Sequence, residues 1–107
     1  MLDRFTPQRK RDDMADKQEP LDFNALVLSL GSSALIHLGL ASDPTSGKTE
    51  PPDLALAQQS IDLLGLLQDK TRGNLTVDEA QFLTQMLYDL RLGYVEVAGK
   101  LKAAYSP

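Results

Sequence analysis

Few side chains in this 107-residue chain are suited to chemistry: there is one histidine, His37, and neither cysteine nor tryptophan. Histidine as a residue type changes charge near neutral pH, so His37 is a candidate pH-sensitive group at a subunit contact. A metal role is poorly supplied, because its neighbours four residues away, Ser33 and Ala41, are not ligands. The plain expectation for His37 is a buried, hydrogen-bonded ring. Asp89 and Arg91 flank Leu90 in the segment Tyr88-Asp-Leu-Arg-Leu-Gly-Tyr94. Two apart on a helix they cannot face each other, so an ion pair from Arg91 to Asp62 or Asp69 is expected if two helices fold back through Gly73-Asn74-Leu75. The fork of Arg91 would also grip a carboxylate or phosphate on a partner. His37, Asp89, Arg91 and Tyr94 are therefore the candidate interaction residues.

No spacing among Asp62, Asp69, Asp78, Glu79 and Asp89 singles out an acid–base pair. Gly47-Lys48-Thr49 imitates the end of a phosphate-binding loop, but Ser42 stands where a glycine is required and no strand precedes it. A turn through Gly47 is expected instead. No catalytic, cofactor or metal residue is assigned, and the expectation is a protein that is not an enzyme and carries no cofactor.

The elements that must position these residues are bounded by composition. Eleven Lys plus Arg against 15 Asp plus Glu give 11 − 15 = −4, with 42% hydrophobic and 24% charged residues. That is one small soluble domain with room for one core. The acidic balance argues against a nucleic-acid partner, which would be met by a basic stripe. Residues 1–20 hold Arg4, Arg9, Lys10, Arg11 and Lys17 against Asp3, Asp12, Asp13, Asp16 and Glu19. So charged a stretch is expected to be a disordered arm ending at Pro20. It lacks the apolar run of a secretory signal, which points to the cytoplasm.

Periodicity and punctuation predict an all-α chain, a three-helix bundle with helices at 23–40, 54–72 and 77–97 in a domain spanning 21–97, followed by a helical extension or tail at 98–107. Asp22 and Asp53 are N-caps, Asp43-Pro44 bars continuation of the first helix, and Gly73 ends the second. Thr76 and Glu79 are spaced as a capping box. In the second helix Gln58, Asp62, Asp69 and Arg72 make a wet face, leaving Ile61, Leu63, Leu64, Leu66 and Leu67 to pack. The third repeats apolar residues at Ala80, Leu83, Leu87, Leu90, Tyr94, Val97, Leu101 and Ala104 at heptad spacing, with Glu96 and Lys100 as an i,i+4 pair. Gly93 and Gly99 are expected to weaken it beyond Leu92.

The first helix is unusual in having no formally charged residue from Phe23 to Leu40. A helix apolar on all sides is buried or spans a membrane; at this length, with Asn24, Ser29, Ser32, Ser33 and His37 interspersed, burial in protein is the better account. Two partner helices would leave an apolar strip uncovered, and the seam of the third helix would outrun the second near Val97 and Leu101. A symmetric homodimer is therefore expected, with Leu28, Gly31, Leu35, Leu38, Val97 and Leu101 as its candidate contacts.

The segments FNALVLSLGSSALIHLG (23–39), AQQSIDLLGLLQDKTRGNLTVDE (57–79) and LYDLRLGY (87–94) resemble a bacterial family known as a domain of unknown function, number eighteen-forty-four. The similarity spans about residues 20–96, with SSALIHLG, IDLL, KT-x-GNLT and LYDLR-x-x-Y in the family's order. The resemblance implies a small helical bacterial protein and carries with it no activity, ligand or site. The functional expectation is a helical homodimer that binds another protein. The alternative is an enzyme accessory or small-anion binder using a pocket near His37, Asp89 and Arg91; a third is membrane-surface association through the first helix.

Overall fold

A computed structural model of the chain describes residues 22–105. The charged arm at 1–20 lies outside the described residues. Three helices are present, α1 (Phe23–His37), α2 (Leu54–Lys70) and α3 (Val77–Tyr105), with no strand among the described residues.

Local chemistry sets most of the boundaries. The Asp22 carboxylate accepts from the Ala25 amide at 2.8 Å and the Asp53 carboxylate from the Leu56 amide at 3.1 Å, each satisfying a first-turn donor. At the start of α3 the Glu79 amide donates to Thr76 Oγ1 at 3.1 Å while the Thr76 amide donates to Glu79 Oε1 at 2.9 Å. Both halves of the capping box are thus made.

α1 ends three residues before the expected Leu40, and the stop is Gly39 rather than Asp43-Pro44. Gly39 has φ +76; its amide donates to Ile36 O at 3.0 Å and the Leu40 amide to Leu35 O at 2.9 Å. This pair of bonds closes the helix on its own last carbonyls. A tight loop follows, held by Asp43 N to Lys48 O at 2.8 Å, and the Asp53 amide donates back to His37 O at 2.7 Å, tying the start of α2 to the end of α1.

In α3 the stretch beyond residue 97 takes the helical one of its two expected forms as far as Tyr105, without the weakening expected past Leu92. The helix continues without a break through Gly93 and Gly99, 29 residues in all, because Gly93 sits among Leu38 and Leu40 and packing outweighs its low propensity.

The core has two continuous parts. One joins Val27 and Ala34 of α1, Ile61 and Leu64 of α2, and Leu83, Leu87 and Leu90 of α3. The other joins Leu38, Ala57 and Val97, with Leu54 and Leu101 against it and Tyr94 bridging to the first. Full burial of each such leucine, isoleucine or valine contributes about 1.5–3 kcal/mol. α2 and α3 form an antiparallel hairpin: Ala57 meets Val97 near one end, and Gln68 Nε2 donates to Thr84 Oγ1 at 3.3 Å near the other. The seam of α3 from Ala80 to Ala104 rises about 36 Å against about 25 Å for the 17 residues of α2, yet Val97 and Leu101 still find cover within the chain, Val97 with Leu38 and Ala57 and Leu101 against them.

Candidate functional site

The four candidate interaction residues occupy different surroundings. His37 sits in the last turn of α1, half-buried, beside a concavity lined by Ile36, Asp43, Glu50, Pro52, Asp53 and other loop residues. Its ring has no hydrogen-bond partner among the described residues, unlike the bonded ring expected. Neither Asp89 nor Arg91 lines that concavity, and Asp43, Glu50 and Asp53 around it would repel an anion. Tyr94 belongs to the packing between the two core clusters.

Asp89 and Arg91 project from α3 and both are exposed. Asp89 Oδ1 accepts from Gln85 Nε2 at 2.9 Å, one turn back. Arg91 finds no carboxylate among the described residues: Asp62 Oδ1 is taken by Gln58 Nε2 at 2.8 Å and Asp69 Oδ1 by Arg72 Nη2 at 2.9 Å. Instead Arg91 lies across Gly65 of α2, its Nη2 3.4 Å from where a Cβ would stand. Glu96 and Lys100 do not form the expected pair either; among the described residues the ion pair that forms is Arg72 with Asp69.

Gly47-Lys48-Thr49 is a turn. Gly47 has φ +72 and its amide is spent on Asp43 O at 2.6 Å, so it cannot cradle a phosphate. The Asp43 carboxylate accepts from both the hydroxyl and the amide of Thr45, at 2.6 and 2.9 Å. Those bonds, the hydroxyl's first, hold its pKa below the ordinary 3.8. No group of three or more His, Cys, Asp or Glu able to hold a metal occurs among the described residues.

The proposed dimer contacts are largely consumed within the chain. Leu38 and Val97 are core residues, and Leu35 and Leu101 pack against the core. Gly31 is buried because Met86 of α3 lies on it: a Cβ there would stand 2.6 Å from Met86 Sδ. The small residues of α1 thus admit a helix of the same chain. Leu28 alone of the six is exposed, at 53%. The exposed positions of α1 are Leu26, Leu28, Ser29 and Ser32, so the uncovered side of the helix without charges is part apolar and part polar. No helix among the described residues is long and apolar enough to cross a membrane.

The unexpected feature lies on α2 and α3. Leu63 and Leu66, expected to pack, are exposed, and with Leu56 they border a shallow concavity on the side of α2 opposite Ile61 and Leu64. On α3, Tyr88, Leu92 and Val95 are 62%, 47% and 65% exposed. Each lies two residues from a core position, Leu90 or Val97, about 200° around the helix. Sequence reasoning overlooked this stripe because the inner seam was the stronger register; the signal was a second three-four spacing offset from it by two.

Residues 20–96 match the family described as Domain of unknown function (DUF1844). The chain belongs to the DUF1844 family. The match covers all of α1 and α2 and most of α3, and the family's description assigns no reaction. No curated protein and no solved structure matches the chain.

Proposed function

We propose that this DUF1844 chain is a non-enzymatic protein–protein interaction module of the bacterial cytoplasm, working as a homodimer. The observation that carries the reading is the pair of apolar stripes, Leu56, Leu63 and Leu66 on α2 and Tyr88, Leu92 and Val95 on α3, exposed on the sides away from the core. Large apolar side chains at helical spacing outside a folded bundle fit another helix laid along them. The polar groups that chemistry would need are dispersed: His37 faces the loop, Asp89 bonds along its own helix, and Arg91 lies over Gly65.

Sedimentation velocity of the full chain at micromolar concentration tests the homodimer, and a reversible monomer–dimer boundary is expected. Affinity capture with the wild-type chain and a Leu63→Asp/Leu66→Asp variant tests the partner. A defined protein retained by the first and lost from the second supports the reading; retention by both removes the α2 stripe from it.

A further inference from the structure

We infer that the outer stripe of α3 is the dimer seam and that two copies pair there with their α3 helices parallel. This rests on the homodimer reading above and adds a surface and an orientation. Gln85, Tyr88, Leu92, Val95 and Gly99 recur at alternating spacings of three and four and carry no formal charge. They run along the side of α3 opposite the core, and all five are exposed. Gly99 has no heavy atom within 4 Å of where a Cβ would stand, leaving room for a neighbouring backbone.

The charges beside the stripe choose both occupant and direction. In heptad terms Gln85, Leu92 and Gly99 take one seam position and Tyr88 and Val95 the other, which places Arg91 on one flank and Asp89 and Glu96 on the opposite flank. Neither Arg91 nor Glu96 has a partner of opposite charge among the described residues. Parallel pairing sets each flank position against the one five residues on in the other helix. Arg91, its exposed side chain swung from Gly65 toward the seam, then meets Glu96 of the partner subunit, and symmetry makes the same pair twice. Antiparallel pairing sets like flanks together. Depending on register it brings Asp89 to the partner's Glu96, Asp89 and Arg91 each to its own copy, or Glu96 to its own copy. All of these are like-charge contacts except where Arg91 faces a neutral residue. Charge complementarity therefore favours a second copy of this chain, in parallel.

The test is a charge swap on the full chain, read by sedimentation equilibrium. Arg91→Glu and Glu96→Arg should each weaken self-association about tenfold or more, two attractive pairs becoming repulsive. The double variant, or an equimolar mixture of the two single variants, should recover it. Both positions are exposed, and an unchanged circular dichroism spectrum confirms that the fold survives. Tyr88→Cys and Val95→Cys, in a chain without native cysteine, should each cross-link to their own copy on oxidation, whereas an antiparallel register permits at most one. A dimer indifferent to the swaps overturns the seam and leaves the homodimer reading standing. A chain monomeric at every concentration overturns both, and a trimer or larger assembly overturns the two-copy seam.

Discussion

Replacing Gly39 with alanine should destabilise the fold by about 2–4 kcal/mol, far more than the same exchange at other glycines. The backbone cost of holding an L-residue in the left-handed region is about 1–2 kcal/mol. Gly39, at φ +76, has a second difficulty: its Cβ would stand 3.2 Å from the Glu50 carbonyl oxygen and 3.2 Å from Pro52 Cγ. Neither neighbour is the free end of a flexible side chain, and crowding of this kind costs about 1–3 kcal/mol. Reduced freedom of the unfolded chain returns about 0.4–1 kcal/mol. Gly73 is the internal control, with φ +87 and no heavy atom within 4 Å of the added carbon, so Gly73→Ala should show the backbone cost alone, about 1 kcal/mol. Gly93 is the opposite case. It is helical, its Cβ would touch Leu40 and Leu38 at 3.5 and 3.6 Å, and Gly93→Ala should stabilise by about 1 kcal/mol. Urea unfolding followed at 222 nm, at one protein concentration so that any dimer contributes equally, gives all three values. A Gly39→Ala variant no less stable than Gly73→Ala would refute the argument that the turn after α1 is closed against the loop.

Thr76→Ala removes the hydroxyl that accepts from the Glu79 amide and should cost about 1 kcal/mol by urea unfolding. Leu87→Ala empties a site that is 1% exposed in the main core cluster and should cost about 2–5 kcal/mol. For Asp43 the folded pKa is lowered by Thr45, so its contribution to stability is present above the unfolded value and is lost as pH falls through the folded one. Carboxyl carbon NMR should show Asp43 titrating below 3.8, and Thr45→Val, which removes the hydroxyl bond, should move the midpoint up; an unmoved midpoint would mean that the hydroxyl is not its cause.

Much of the architecture is legible from short-range chemistry. Asp22, Asp53 and the Thr76–Glu79 box act within one turn of their own residues, so the spacing of a few side chains suffices to place three helix starts. Helix ends were less legible. Asp43-Pro44 marks where α1 cannot continue, but Gly39 stops it sooner because a left-handed residue there turns its own amide and that of Leu40 onto two terminal carbonyls. The candidate site was the least legible. The segment bearing Asp89, Arg91 and Tyr94 is conspicuous as a string, yet folding sends Tyr94 into the core, Arg91 across Gly65 and Asp89 along its own helix to Gln85. The lack of charge in α1 read as a demand for cover on all sides, whereas its uncovered side sets Leu26 and Leu28 beside Ser29 and Ser32.

The sequence by itself determined that the described chain is helical, where each helix begins, and which register of α3 is the strongest apolar seam, because caps and periodicity depend on neighbours a few residues away. Only the tertiary structure decided which apolar residues stay outside. Leu63 and Leu64 are chemically the same and adjacent, and Leu90 and Leu92 differ only by two positions, yet one of each pair is buried and the other exposed. The hydrophobic effect has no direction of its own; the fixed angle at which α1, α2 and α3 meet assigns it one, and leaves Tyr88, Leu92 and Val95 facing outward.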